Sequence, residues 1–269
     1  MEVVEAGRTS LPSYLAEVWK YRHLVLTFAK RDFKVKYAQT TLGIVWAMLQ
    51  PLTGLLIFTL FFDKVIKVDT AGVPYPLFAL TGMSSWYYFT YIFGSAGTSL
   101  LDSQSIIKKV YFPKLILPLS KIFLGGADFV CTILLLAVAM LLYGRYPGMG
   151  IVFFPLFFLF NIVVALANAI WLSALTIRNR DAHHIIPYIM NFSIWITPVF
   201  YPTTILPASL SNLMYINPMA FVIEGYRFSL LGSPAPSPYY LISTVPVLIL
   251  LFTGLLYFLK VEDDIVDRI

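Results

Sequence analysis

Charge is scarce in this chain: only 12% of its 269 residues are Asp, Glu, Lys or Arg, against about 25% in an ordinary soluble domain. Cysteine is scarcer still. Cys131 stands alone in an apolar run, which excludes an intramolecular disulfide and a cysteine-based metal site. No G-x-x-x-x-G-K-[ST] string occurs and no glycine-rich turn follows a predicted strand, so the chain is not expected to energise itself with ATP. Residues 1–29 interleave Glu2, Glu5 and Glu17 with cations and hold no continuous apolar segment, so a cleaved signal peptide is not expected. Histidine sits beside a carboxylate only at Asp181-Ala182-His183-His184. Adjacent histidines point to different faces of a helix and no third ligand is evident, so a solvated loop is expected there and no metal site. No catalytic residue stands out.

Apolar residues are abundant instead, at 59%. Uncharged runs recur at 42–62, 73–101, 129–144, 146–177, 182–223 and 228–259, more than a soluble core of this size needs. The run from Leu42 to Phe62 reaches about 30 Å as a helix, the thickness of a bilayer's hydrocarbon core. The expected fold is an all-α integral membrane protein with six transmembrane helices, at about 41–62, 76–100, 115–143, 151–175, 187–201 and 241–259. The segment 202–240 is too long and apolar for a plain loop, and Pro202, Pro207, Pro218, Pro234, Pro236 and Pro238 break it up. A re-entrant helical hairpin at the outer surface fits it, because irregular backbone at membrane depth must be packed in protein or face water.

Orientation follows from the cations. Segments 1–40, 101–114, 176–186 and 260–269 hold 14 Lys and Arg, and the alternate set holds 4. The richer set is expected in the cytoplasm, with both termini inside. The net charge of +5 is therefore topological and does not point to nucleic acid. In residues 13–37 a period of 100° puts Leu15, Val18, Trp19, Val25, Leu26, Ala29, Phe33 and Tyr37 on one face. Lys20, Lys30, Arg31 and Lys34 fall on the other. This predicts an amphipathic helix on the cytoplasmic leaflet. The chain then divides into a cytoplasmic N-terminus, 1–40, and a transmembrane domain, 41–269.

Few charges fall inside the expected spans. Lys121 is close enough to a membrane surface to snorkel out. Asp128 lies near mid-membrane, where an ionisable group is costly, and a polar contact between helices is its simplest role. Glu224 and Arg227, spaced i, i+3, are expected to pair and let their segment sit at the interface. Five of the six positions 86–91 are aromatic (Trp86, Tyr87, Tyr88, Phe89 and Tyr91), which covers every face of a helix, so some rings must point into the protein. Phe200 and Tyr201 end the fifth span. Such rings anchor helices at interfaces, and their faces also pack on the C–H faces of sugars. In the loop 101–114, Asp102-Ser103 can cap a short amphipathic helix that Pro113 ends. That helix needs the bilayer or a partner protein to dock on.

Several strings, in order, resemble one family. They are Arg31-Asp32-Phe33-Lys34-Val35-Lys36-Tyr37 with Gln39-Thr40-Thr41-Leu42-Gly43 and Trp46-Ala47-Met48-Leu49-Gln50-Pro51; Gly72-Val73-Pro74-Tyr75-Pro76; and Lys109-Val110-Tyr111-Phe112-Pro113-Lys114. Downstream stand Arg178-Asn179-Arg180-Asp181, Thr197-Pro198-Val199-Phe200-Tyr201-Pro202, and Asn217-Pro218-Met219-Ala220 with Glu224-Gly225-Tyr226-Arg227. Together they resemble the membrane subunit of type-2 ABC exporters for O-antigen, capsular or teichoic-type polysaccharides. The resemblance implies a homodimer in the bacterial inner membrane, bound to a separate ATPase that carries ATP and Mg. The implied cargo is a glycan on an undecaprenyl-diphosphate carrier. Lys30, Arg31, Lys34 and Lys36 would meet the diphosphate at a cytoplasmic gate. Trp86, Tyr87, Tyr88, Phe89, Tyr91, Phe200 and Tyr201 would line the glycan channel. Ser105, Ile106, Lys108, Lys109, Tyr111 and Phe112 would form the helix that docks on the ATPase. Two other functions compete: a type-2 ABC permease for small lipids or drugs, and an integral-membrane glycosyl- or acyltransferase. The second wants carboxylates or histidines gathered at one membrane face, and Asp128, Asp181 and His183 are scattered.

Overall fold

The structure, a computed structural model, describes residues 10–38, 40–178 and 181–268, without the side chains of 178, 182–184 and 263–268. Gln39, Asn179, Arg180, His183 and His184, which the sequence singled out, therefore lie outside the described side chains.

The described residues are helical, with no strand among them. The N-terminal segment is two helices, α1 (Leu11–Lys20) and α2 (Arg22–Tyr37), broken at Tyr21. After them come α3 (Trp46–Phe58, widening into a π-type turn to Val65), α4 (Tyr75–Asp102), the single-turn α5 (Gln104–Ile107) and α6 (Ile116–Leu142). The remainder is α7 (Phe154–Arg178), α8 (Ala182–Ile196), α9 (Ala208–Met214), α10 (Pro218–Leu231) and α11 (Thr244–Arg268). Among the described residues four helical stretches are long and apolar enough to cross a membrane: Gly43–Val65, Ile116–Leu142, Met149–Ile177 and Pro238–Glu262. Lys121 and Asp128 leave α6 unbroken.

The other two expected spans differ for physical reasons. α4 is 28 residues long but carries many hydroxyls, and it is the central helix, with α6, α7 and α10 packed around it. A helix sheathed in protein needs no uniformly apolar surface. Its small residues admit close neighbours, and its buried hydroxyls bond back to their own helix, as Thr81 does to the Leu77 carbonyl (2.8 Å) and Ser99 to that of Ala96 (2.7 Å). α8 is 15 residues long and ends before the expected boundary at 201, because Thr197 turns extended ahead of Pro198.

Within 202–240, where the sequence predicts a re-entrant hairpin, the described residues form two helices, α9 and α10. Asn217 caps α10 by accepting from the Met219 (3.0 Å) and Ala220 (3.4 Å) amides, Pro218 opens it, and Gly232 closes it with φ +69°. Arg227 does pair with Glu224, at 3.3 Å, and the guanidinium reaches into the protein interior. It is fully buried, donates to the Val199 carbonyl at 2.9 Å and stacks 3.5 Å over the Phe78 ring. The pair clamps α10 to α4 and to the bend after α8.

Candidate functional site

The charges of α2 and α6 meet in a two-rung ladder. Lys121 donates to Asp32 Oδ2 at 2.6 Å, and Lys36 donates to the Asp128 carboxylate, which also accepts from the Tyr37 hydroxyl. Lys121 thus does not snorkel out; it is buried against Asp32, because a carboxylate within reach costs less than carrying the ammonium to water. Asp128 has the expected polar inter-helix contact. The sign order is inverted between the helices, acid then base on α2 (Asp32, Lys36) and base then acid on α6 (Lys121, Asp128). A one-turn slip would bring like charges together, so the ladder specifies register. Since 32 pairs with 121 and 36 with 128, α2 runs alongside the first half of α6, in the same direction. Its C-terminal end lies about 18 Å along α6 from Ile116.

This placement divides the four cations expected to act on an anionic cargo. Lys36 is held by Asp128, and Arg31 donates to Asp32 Oδ1 (2.7 Å). Lys30 and Lys34 are exposed on the opposite side of α2.

Beside the upper rung lies a cavity of about 280 Å³ between α2, α3, α4 and α6. Tyr87, Tyr88 and Tyr91 of α4 line it, with Trp46 and Gln50 of α3 opposite. The Lys36 ammonium sits 4.1 Å from the Tyr91 ring centre and 5.1 Å from that of Tyr37, a cation held over two π faces. Tyr88 is stacked on Phe158 and packs tilted against Phe129, and its hydroxyl donates to the Ile122 carbonyl at 3.3 Å. Trp86 and Phe89 turn the other way. With Phe93 they line a second cavity, about 250 Å³, towards α8, where Asn168, Ser193 and Asn217 add polar atoms. Phe200 joins neither: it is buried, stacked 3.4 Å (between centres) on Phe58. Tyr201, half-exposed, donates to the Trp195 carbonyl at 3.0 Å. The aromatic set therefore occupies three places. The first cavity, with ring faces, an amide, a carboxylate and an ammonium, offers stacking and hydrogen bonds to a polyhydroxylated ring. Among the described residues no group of three His, Cys, Asp or Glu could hold a metal ion.

The loop 101–114 contains the expected short helix, but not its expected cap. Ser103 occupies the N-cap position without a side-chain bond, and Asp102 instead accepts from Thr98 (2.8 Å). Ile107 and Phe112 are buried, Ile106 is half-buried, and Ser105, Lys108, Lys109 and Tyr111 are exposed. Phe112 packs on Phe28 of α2, with 5.3 Å between ring centres.

Three distant segments are tied together directly after this loop. Glu262 of α11 accepts from the Tyr14 hydroxyl and, at 2.8 Å, from the Lys114 amide. Tyr14 in turn accepts from the Leu115 amide, and Tyr111 donates to Glu17 at 3.2 Å. Burial pushes the Tyr14 phenol far above its usual range and Glu262 adds to the rise, so it remains a donor. Burial also lowers Lys114, against the pull of Glu262 and Glu17. The loop therefore cannot shift as a body without moving α1 and α11. Asp32, Tyr37 and Gln50 stand in the strings that carry the resemblance but were given no role at the site, and Tyr14 and Glu262 were given none either. A signal for Asp32 was present in the opposed sign orders at spacings i, i+4 and i, i+7.

The profile of the ABC-2 type transporter family matches residues 23–231. An O-antigen export system permease protein RfbA of Myxococcus xanthus is 30% identical over 213 residues, 78% of this chain and 81% of that protein. A protein of the same name from Klebsiella pneumoniae is 27% identical over 240 residues, 89% and 92% of the two chains. The polysialic acid transport protein KpsM of Escherichia coli is 20% identical over 196 residues, 72% and 76%.

Proposed function

The chain belongs to the ABC-2 type transporter family, and from that premise we propose that it is the membrane permease subunit of an ATP-driven exporter of an O-antigen-like polysaccharide. The likeness to O-antigen export permeases over most of both chains carries this reading. In the full proposal two copies, each with six spans and both termini in the cytoplasm, stand in the bacterial inner membrane. Between them passes a glycan attached to undecaprenyl diphosphate. ATP is hydrolysed on a separate subunit, and this chain performs no chemistry. The Tyr87–Tyr91 cavity supports the glycan part, because rings and hydrogen-bonding groups converge there. Lys30 and Lys34 are the cations exposed to meet a diphosphate, with Arg31 and Lys36 able to join only by leaving their carboxylates.

A strain lacking this gene is expected to accumulate completed lipid-linked glycan on the cytoplasmic leaflet and to lose it from the cell surface, with restoration on complementation. Normal surface glycan in the deletion strain overturns the reading.

Docking on the ATPase is proposed for the exposed side of α5 and the residues after it. Ser105→Cys and Lys109→Cys are expected to form crosslinked adducts with the ATPase in the assembled complex, whereas Ile107→Cys, buried, gives none. Cys131 is buried and does not interfere. Adducts that fail to form at both exposed positions count against docking there.

A further inference from the structure

The break at Tyr21 leaves a concave elbow between α1 and α2, facing α6. It holds the largest of the described cavities, about 800 Å³. That is within the range of small-molecule sites, about 300–1,000 Å³. Its walls are apolar: Val18 and Val25 form the base, Leu119 and Ile122 of α6 the far side, and Trp19 and Phe123 the open rim. Three basic side chains, Lys20, Arg22 and His23, also line it. Among the described residues no carboxylate pairs with any of them. The contrast with the ladder is informative, since Arg31, Lys36 and Lys121 are each matched to an aspartate. Arg22 is also held in position. Its Nη1 donates to the Trp19 carbonyl at 3.1 Å and its guanidinium lies 5.0 Å over the Trp19 ring, which leaves further N–H groups to donate.

We propose that this elbow binds one anionic phospholipid of the surrounding leaflet, its phosphate on Arg22 and Lys20 and one acyl chain along Val25, Leu119 and Ile122. Charge complementarity selects the occupant. Basic groups that no carboxylate compensates, lining the same cavity as a set of apolar side chains, match a molecule with an anionic head and a hydrocarbon tail. Trp19 (69% exposed) and Phe123 (55%) open the trough sideways, towards where lipid lies around a membrane helix. The proposal rests on the membrane placement of α1 and α2, and is independent of the cargo. Bound there, a lipid would brace the same α1 that Tyr14 ties to the loop and to α11.

The test uses the purified full-length protein, with retained lipids counted by native mass spectrometry after titration with phosphatidylglycerol or with phosphatidylethanolamine of the same chains. Preferential retention of one phosphatidylglycerol is expected, weakened about fivefold for each cation removed, in Lys20→Gln and Arg22→Gln. Leu119→Trp, which fills the trough and leaves the cations, is expected to abolish it. Equal retention of both lipids, or unchanged retention in all three variants, overturns the proposal. So does displacement of phosphatidylglycerol by equimolar undecaprenyl phosphate, which would assign the elbow to the carrier. Export itself is tested separately by the deletion strain.

Discussion

Asp32→Leu is expected to destabilise the protein by about 3–5 kcal/mol, the cost of stranding a buried charge whose partner has been removed. The stranded group is Lys121, whose side chain is 9% exposed and has Asp32 as its carboxylate. Arg31, which also bonds Asp32, is 36% exposed and can turn to water, so it adds little. The double variant Asp32→Leu/Lys121→Met is expected to recover most of the loss, because an apolar pair of similar volume often replaces a buried ion pair without penalty. Melting of the detergent-solubilised variants measures this, and the two changes must fall well short of additive. A double variant as unstable as the sum of the singles would sink the pairing. The upper rung is expected to be weaker. Lys36 and Asp128 are 33% and 26% exposed beside a cavity, so Asp128→Asn costs about 1.5–3 kcal/mol, the range for a hydrogen bond to a charged group. Its larger effect falls on transport, since it frees Lys36 next to the aromatic cavity.

Gly82→Val carries the second large effect. A Cβ at residue 82 would fall onto the carbonyl oxygen of Val199 and lie 3.2 Å from Arg227 Nη2. That carbonyl is backbone and cannot swing away, so α4 and the bend after α8 must separate. Overpacking costs about 1–3 kcal/mol, and the lost Arg227–Val199 bond adds about 1.5–3 kcal/mol because its donor is charged. Little folded protein is expected in the membrane at growth temperature. Gly94→Ala makes a control on the same helix, as nothing lies within 4 Å of its added Cβ. Arg227→Lys attacks the same contact from the other side: a point charge does not reproduce a fork that spans Glu224 and Val199. Normal amounts of Gly82→Val with intact export would refute the close approach.

Much of the fold was legible because its signals are local. The uncharged run 42–62 became Gly43–Val65, and the 115–143 span became Ile116–Leu142. Asn217-Pro218, read only as a break and a family string, is itself a local helix-start signal, and the Asn217 side chain caps α10. Some of the site was legible too, and incompletely used. The spacing of Trp86, Phe89 and Phe93 at i, i+3, i+7, against Tyr87 and Tyr91 at i, i+4, already divides the aromatic band into two faces. These are the faces of the two cavities. The Asp102-Ser103 cap misled, because a residue type suited to a cap forms one only when its backbone presents it to the free amides.

What the sequence by itself determined is the environment: so many long uncharged runs in one chain exceed what a soluble core needs and call for a bilayer. It also carried the family likeness, through strings that keep their order along the chain. What only the tertiary structure decided is the partner of each buried charge. Asp32 finds Lys121 across 89 positions, Lys36 finds Asp128 across 92, and Arg227 finds the Val199 carbonyl across 28. The physical reason is that the cost of a buried charge depends on what lies within about 4 Å of it. Helix packing sets that neighbourhood, and distance along the chain does not.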